Sequence, residues 1–283
     1  MSAEVRTPRL SGSTRRLLVH GGFTAIAILY VGVLVVAPLI GIAWAALRGG
    51  LSTWTSTLAQ PDVVHAYLIT GIITAITFFV TTVLGVVVAL VITRDRFPGR
   101  SLLSAFVDLP LAVSPVIVGV MAVLLFGRGG WFEPWFSARG IQILFALPSM
   151  VLVTIFICIP FVIREVVPVL QELGVSEEEA ASTLGASSWQ TFFRVTLKNI
   201  RWGLLYGIAL TTARAIGEIG AILIVSGSIT GKTETATLYI LRAFDQNQDP
   251  SGYVVALTLA LVSIVLLVGI EAFKRREERK LRT

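Results

Sequence analysis

Residues 176–197 read SEEEAASTLGASSWQTFFRVTL, and this stretch decides how the whole chain is interpreted. Ser176 and Glu179 have the spacing of a capping box, in which side chain and backbone satisfy each other at the start of a helix. Gly185 follows at the position where many helices end in a left-handed residue. A second box of the form Ser-x-x-Gln begins at Ser187. The sequence therefore predicts two short helices joined by a sharp glycine bend.

The two predicted helices differ in character. Apolar side chains follow a helical spacing on the second one, namely Trp189, Phe192, Phe193 and Leu197. On the first, the small residues Ala180 and Ala181 would let another surface approach the backbone closely. Two interpretations fit these features equally well. The hairpin either docks against another protein, since helix-in-groove docking leaves such a stripe, or lies under its own helix bundle.

The chain around this hairpin is unusually apolar. Of its 283 residues 55% are hydrophobic and 14% are charged, whereas soluble domains carry about 25% charged residues. Mean hydropathy is +0.83. A net charge of +6 would suggest nucleic-acid binding in a soluble protein, but here the basic residues lie beside apolar blocks and set membrane orientation. We therefore expect a membrane protein that binds no nucleic acid. The single cysteine, Cys158, excludes an intrachain disulfide.

Long apolar blocks predict the membrane spans. A helix needs about 20 apolar residues to cross the hydrocarbon core, and six blocks meet this condition: 23–47, 66–93, 102–126, 140–163, 202–230 and 252–270. The sequence thus predicts an all-α membrane protein of about six transmembrane helices. The first block exceeds the roughly 7–15 residues of a signal-peptide core, so it is expected to be a retained helix.

Charge predicts orientation and the domain limits. With the N-terminus inside and alternating spans, seventeen Lys and Arg residues fall on the inner side and five on the outer side. Both termini are therefore expected to be cytoplasmic. The predicted organisation, in order, is a disordered basic N-terminus over 1–20, an additional first helix over 21–47, a transmembrane domain over 66–271 and a basic tail over 272–283. That tail could contact anionic lipid, although anchoring explains it more simply.

The hairpin also resembles a known motif. The EAA loop of type I ABC importer permeases has the pattern E-A-A-x3-G-x9-I-x-L-P. This chain resembles it with EAA at 179–181, Gly185 after three intervening residues, and VTL at 195–197. Val195 replaces Ile and keeps the apolar contact. Lys198 replaces Pro, so the second helix is expected to continue without a break.

Two further stretches resemble one branch of this family. Residues 108–115, DLPLAVSP, with Val118 and Gly119, are similar to the third-span signature of sulfate and molybdate permeases. Residues 214–220, RAIGEIG, are similar to their fifth-span signature. The resemblance covers about residues 66–271 and extends in particular to the CysW-type permeases of sulfate/thiosulfate importers.

This resemblance implies a non-catalytic permease subunit of an ATP-driven importer in the bacterial inner membrane. Its partners would be a second permease in a heterodimer, two ATPase subunits that bind ATP and Mg²⁺, and an external substrate-binding protein. The chain itself would hold no cofactor and no metal. The ATPase subunits would dock on the loop residues Glu179, Ala180, Ala181, Leu184 and Gly185.

Two charges lie inside the predicted fifth span. Arg214 near the bilayer centre costs roughly 2.5–3.5 kcal/mol on insertion scales, so it must face the bundle interior or a cavity. Glu218, four residues on, shares its helix face and can pair with it. Gly217 beside them suits close helix packing. Arg214 either lines an anion path or forms with Glu218 a neutralised brace between helices, and we favour the brace.

The third span contains the remaining candidates for a path or gate: Asp108, Ser114 and Pro115. Pro110 and Pro115 could break the helix and leave amides facing an anion, but ordinary proline kinking is the simpler interpretation. Asp108 is expected near the cytoplasmic start of the span, where water would solvate it.

Some features of the sequence suggest other functions. Gly231-Lys232-Thr233 ends like a P-loop, but Ser226 stands where the first glycine belongs, so no nucleotide site is expected. A molybdate or tungstate permease, typically a homodimer, is the nearest alternative. A secondary anion transporter could use Arg214 and Glu218 as a proton relay. An intramembrane enzyme would need a nucleophile–base pair or residues with metal-ligand spacing, and the sequence shows neither.

Overall fold

The computed structural model describes residues 12–281. Residues 1–11 of the segment predicted as disordered, 1–20, lie outside the described residues, as do residues 282–283 of the basic tail. The helices in order are α1 Gly12–Leu47, α2 Gly50–Leu58, α3 Pro61–Arg94, α4 Arg100–Ala112, α5 Pro115–Phe126, α6 Glu133–Ser137, α7 Leu147–Leu173, α8 Ser176–Thr183, α9 Ser188–Thr191, a π-helical turn Phe192–Thr196, α10 Leu197–Ile216, α11 Gly220–Val225, α12 Ala236–Asp245 and α13 Asp249–Leu281.

The prediction of an all-α membrane protein is confirmed. In the described part of the chain, four helices are long and apolar enough to cross a membrane: α1, α3, α7 and α13. Helices α4 and α5 are bent by 112° relative to each other, and they give a fifth span if the bent pair is counted as one. The predicted span 202–230 is not a single helix, because α10 stops at Ile216 and α11 starts anew at Gly220.

The fourth span begins and ends later in the sequence than the predicted block 140–163. Residues 140–146 are not helical, and α7 begins at Leu147 with Pro148 in its first turn, a position where proline is favoured. The helix then continues past Arg164 to Leu173. A search for charge-free blocks misses such an end, since a helix can carry charges once it leaves the hydrocarbon core.

Helix α7 lies at the centre of the bundle and packs against α3 and α10. Glycines allow the close approach of α10 to α7. A Cβ added at Gly203 would lie 2.5 Å from the carbonyl oxygen of Glu165, and one at Gly207 would lie 2.9 Å from the Cα of Val162. Small residues are the usual means of such contact within a membrane, where apolar burial alone does not hold helices together.

Candidate functional site

The hairpin between α7 and α10 has the predicted glycine bend. Gly185 has φ +83° and follows the last turn of α8. Its N–H donates to Ser182 at 3.0 Å and that of Ala186 donates to Ala181 at 3.1 Å, which together form a Schellman motif. The bend is therefore a built C-terminus of α8.

One of the two capping boxes was predicted wrongly. The cap of α8 is Val175, and no side-chain bond caps this helix, because Ser176 is already its first helical residue. The second box is confirmed, since Ser187 accepts from the Gln190 N–H and donates its own N–H to the Gln190 side chain. The helical path then runs through the π turn into α10 without a break at Lys198, as the missing proline predicted.

The apolar stripe divides into two halves. Phe192 and Leu197 pack against the bundle between α3, α7 and α10. Trp189 and Phe193 stack on each other with ring centroids 5.7 Å apart and are 72% and 54% exposed. Leu184, at the tip of the bend, is 89% exposed. We call Leu184, Trp189 and Phe193 the docking face, because together they present apolar surface away from the chain's own core.

The third span is broken, and the expectation of a simple proline kink was wrong. Helix α4 continues through Pro110 and ends at Ala112, whereas α5 starts at Pro115. Ser114 is extended, with φ −60° and ψ 138°. A residue before proline is driven away from helical geometry by the proline ring, so Pro115 sets the break and then starts the next helix.

The two broken spans touch each other where they break. Helices α5 and α11 pack side by side. A Cβ added at Gly220 would lie 3.0 Å from Pro115, and one added at Gly119 would lie 2.9 Å from the carbonyl oxygen of Ala221. The stretches that resemble family signatures are thus brought together in space, with glycine where they come closest.

Arg214 and Glu218 form the predicted ion pair, with an N–O distance of 2.7 Å. The Glu218 side chain is 1% exposed and that of Arg214 is 31% exposed. Glu218 also accepts from the N–H of Ala221 at 2.9 Å, and its carbonyl accepts from the Thr237 hydroxyl at 2.9 Å. The carboxylate therefore serves the first turn of α11 as well as Arg214. Gly217 ends α10 beside the pair.

Asp108 is not merely solvated, as the sequence had suggested. Its carboxylate accepts from Nε of Arg164 at 2.9 Å, which links α4 to α7. Both side chains are about half exposed. Ion pairs at this exposure contribute little to stability, so the contact orients the two side chains more than it strengthens the bundle.

Besides the contact of Asp108 with Arg164, sequence reasoning missed further ion pairs. Arg94, in the last turn of α3, contacts Glu178 in α8 at 3.1 Å. Arg242 in α12 binds the buried Glu234 at 2.6 Å and 3.0 Å. The hydrogen bonds that the guanidinium donates to Glu234 raise the pKa of Arg242 above its ordinary value. For the first pair, 84 residues of separation leave no local signal.

The turn that resembles a P-loop has a structural use. Thr233 donates to the carbonyl of Ser226 at 2.6 Å and accepts from the N–H of Ile229 at 3.2 Å. Its hydroxyl is thereby occupied in closing the turn before Glu234.

A cavity of about 390 Å³ opens between α3, α10 and α13. Its walls are almost entirely apolar, with Phe78, Phe79 and Leu266 among the lining residues. The lining contains no charged residue and only a few hydroxyls, so an oxyanion that left water for this space would lose most of its hydration and find few donors.

Broken membrane helices around a buried ion pair, together with an exposed helix–bend–helix, define a multi-pass membrane transport subunit. Residues 81–282 match the family model of binding-protein-dependent transport system inner membrane components, and the chain belongs to this family. A member of this family is a permease subunit, and ATP hydrolysis resides in a separate subunit.

Several relatives that are similar along most of the chain are named as sulfate transport system permease proteins. The sulfate transport system permease protein CysW of Synechococcus elongatus is 47% identical over 90% of both chains. CysW of Escherichia coli K12 is 46% identical over 83% of this chain and 80% of its own. The sulfate transport system permease protein CysT of Escherichia coli K12 is 33% identical over 95% of this chain and 97% of its own.

The fold is also found among solved structures. A bacterial alginate ABC transporter, in complex with an alginate-bound periplasmic protein, contains a chain with a TM-score of 0.78 at 19% identity. The match covers 95% of this chain and 98% of that one. At this identity the likeness shows a shared fold.

Proposed function

We propose that this chain is the permease subunit of an ATP-driven importer of sulfate and thiosulfate. The observation that carries the proposal is the 47% identity to a sulfate transport permease over 90% of both chains. The two stretches that resemble sulfate and molybdate permeases support it as well, because they pack against each other at Pro115 and Gly220.

The docking face supports coupling to ATPase subunits. Leu184, Trp189 and Phe193 are exposed apolar residues on a hairpin with a fixed bend. Large exposed apolar groups of this kind mark interaction sites. We infer that ATPase closure moves this hairpin and that the bundle then alternates between inward-open and outward-open states.

We infer a heterodimer as the permease core. Escherichia coli K12 has two relatives with different names, and this chain is 46% identical to one and 33% identical to the other. The chain would take the CysW position, beside a CysT-like second permease. Two ATPase subunits with ATP and Mg²⁺ and an external binding protein would complete the importer. Both termini would face the cytoplasm, as the distribution of basic residues predicts.

We assign the Arg214–Glu218 pair to bracing and gating ahead of direct anion contact. Glu218 holds three neighbours: Arg214, Ala221 and Thr237. An arginine already neutralised by a buried carboxylate attracts a dianion weakly. Ser114, Pro115 and Asp108 stay candidates for the path, since they lie at the break and at the cytoplasmic side of the same span.

Uptake by the assembled complex tests the function. Proteoliposomes that contain the full importer and its binding protein should accumulate radiolabelled sulfate only with internal ATP. Excess thiosulfate should compete and molybdate should not. The matched control contains an ATPase subunit unable to hydrolyse ATP. Molybdate-selective uptake would correct the substrate, whereas uptake that needs a proton gradient and no ATP would overturn the proposal.

A further inference from the structure

The polar contacts of α8 with the helix bundle centre on the carboxylate of Glu178. One terminal nitrogen of Arg94 donates to Oε1 at 3.1 Å, and Nε lies 3.1 Å from Oε2 as an ion-pair contact without hydrogen-bond geometry. The hydroxyl of Thr196 donates to Oε1 at 2.9 Å. The Arg94 and Glu178 side chains are only 19% and 23% exposed. Because charge-assisted hydrogen bonds are among the stronger ones, the donors Arg94 and Thr196 together fix the position of Glu178.

The same guanidinium joins several elements. Arg94 stands in the last turn of α3, and its third nitrogen donates to the carbonyl of Leu170 in the last turns of α7 at 3.2 Å. Thr196 ends the π turn that continues into α10. Next to Glu178, Glu177 accepts from the Asn199 amide of α10 at 2.6 Å. Two adjacent glutamates thus tie α8 to α3 and α10, and Arg94 extends this link to α7.

Apolar packing does not supply this attachment. Within the described chain, no residue of α8 is fully buried. The bends on either side of α8, at Gly174 and Gly185, both have positive φ. A short helix between two glycine bends, with no buried face, has little besides polar contacts to set its angle to the spans. Its orientation therefore depends on Arg94 and Glu178.

We propose that Arg94 is a positioning residue for energy coupling, with Glu178 as its acceptor. The proposal rests on the proposed function, in which ATPase subunits dock on this hairpin. Motion of α8 would pass through the Arg94 guanidinium to the ends of α3 and α7. Without it, the docking face would still hold the ATPase subunits, because Leu184 and Trp189 lie outside the contact. Hydrolysis would then proceed while the spans follow it poorly.

The test measures ATP hydrolysis and sulfate uptake on the same proteoliposomes. We expect Arg94→Gln to lower the uptake per ATP hydrolysed by about tenfold, the effect of losing one charge-assisted hydrogen bond. The ATPase subunits should still co-purify at wild-type amounts. Arg94→Lys should give an intermediate ratio, since a single ammonium keeps the charge but cannot reproduce the geometry in which the guanidinium donates to both Glu178 and Leu170. Arg96→Gln is the control, because this exposed arginine lies two residues further on, in the loop after α3, and the same charge is removed.

Charge exchange provides an independent check. Arg94→Glu combined with Glu178→Arg should recover part of the ratio that each single change loses. A wild-type ratio in Arg94→Gln would overturn the proposal. So would loss of the ATPase subunits from that variant, which would make Arg94 a docking or folding residue. If wild-type vesicles take up molybdate and not sulfate, the substrate assignment alone fails, and the same ratio is measured with molybdate.

Discussion

Arg214 and Glu218 form an asymmetric ion pair, in which the acid is 1% exposed, the base is 31% exposed and the charged atoms are 2.7 Å apart. The backbone holds the acid from a second direction, through the N–H of Ala221. Removing Glu218 thus breaks two contacts, whereas removing Arg214 breaks one. If the pair acts as a brace, removing Glu218 should therefore destabilise the complex more than removing Arg214. Direct anion binding by Arg214 would not produce this order of severity.

Alanine variants of the pair are expected to differ in severity. Arg214→Ala should destabilise the assembled complex by about 3 kcal/mol, the usual cost of leaving one member of a buried pair. Glu218→Ala should cost more, since it also removes the bond to Ala221. The double variant should recover yield relative to Glu218→Ala. The measurements are complex yield and sulfate uptake for all three.

A double variant that assembles at near wild-type yield and fails to transport would favour anion contact by Arg214. Wild-type uptake in all three variants would exclude both roles. The matched control is Thr212→Val, two residues before Arg214. Among the contacts described, its hydroxyl bonds only within its own helix, to Ile208.

Gly203 is expected to be intolerant of even one methyl group. A Cβ at this position would lie 2.5 Å from the backbone oxygen of Glu165, which cannot rotate away. Gly203→Ala should therefore separate α10 from α7 and cost about 1–3 kcal/mol. Gly71→Ala is the control, because nothing lies within 4 Å of its added Cβ. Thermal unfolding of the detergent-solubilised complex measures both, and equal midpoints would contradict the close packing.

Gly185 is expected to act through its backbone conformation alone. Its φ is +83° and no atom lies within 4 Å of an added Cβ. Gly185→Val should thus strain the bend without a clash and misplace the docking face. We expect normal membrane levels, loss of the ATPase subunits on purification and loss of uptake. Gly185→Asn should retain most function, since asparagine tolerates the left-handed region. Full co-purification with Gly185→Val would show that the bend is not needed for docking.

The features that sequence predicted correctly are local ones. Ser187 and Gln190 are three residues apart, Arg214 and Glu218 are four apart, and each pair interacts through helical geometry that spacing alone fixes. Local spacing still failed at Ser176, because the helix began one residue earlier than the capping pattern implied.

The features that sequence could not predict depend on tertiary packing. Arg94 and Glu178 are 84 residues apart, and Asp108 and Arg164 are 56 apart. Each looked like an ordinary cytoplasmic charge, because nothing nearby in the sequence identifies its partner. The break before Pro115 was visible as a possibility, but whether a proline kinks or divides a span depends on what packs against it. Here α11 packs against the new helix.

The buried Glu234 is expected to depend on Arg242. Its side chain is 2% exposed and accepts two hydrogen bonds from that guanidinium. Arg242→Ala should destabilise the complex by about 3 kcal/mol, because a buried carboxylate would lose its partner. Arg242→Gln with Glu234→Gln should recover part of this loss, as no net charge stays buried. The unfolding midpoint distinguishes the variants, and an unchanged midpoint in Arg242→Ala would contradict this account.

The orientation of the chain is expected to follow its basic residues. Seventeen Lys and Arg residues lie on the side assigned to the cytoplasm and five on the other, an excess that normally sets topology. A reporter active only in the cytoplasm should be active when fused after Thr283 and inactive when inserted after Asn247, in the exposed turn between α12 and α13. A reporter active only outside should give the opposite pattern, and the two serve as controls for each other. If the C-terminal fusion proves external, the docking face lies on the wrong side for any ATPase, and the proposed coupling fails with it.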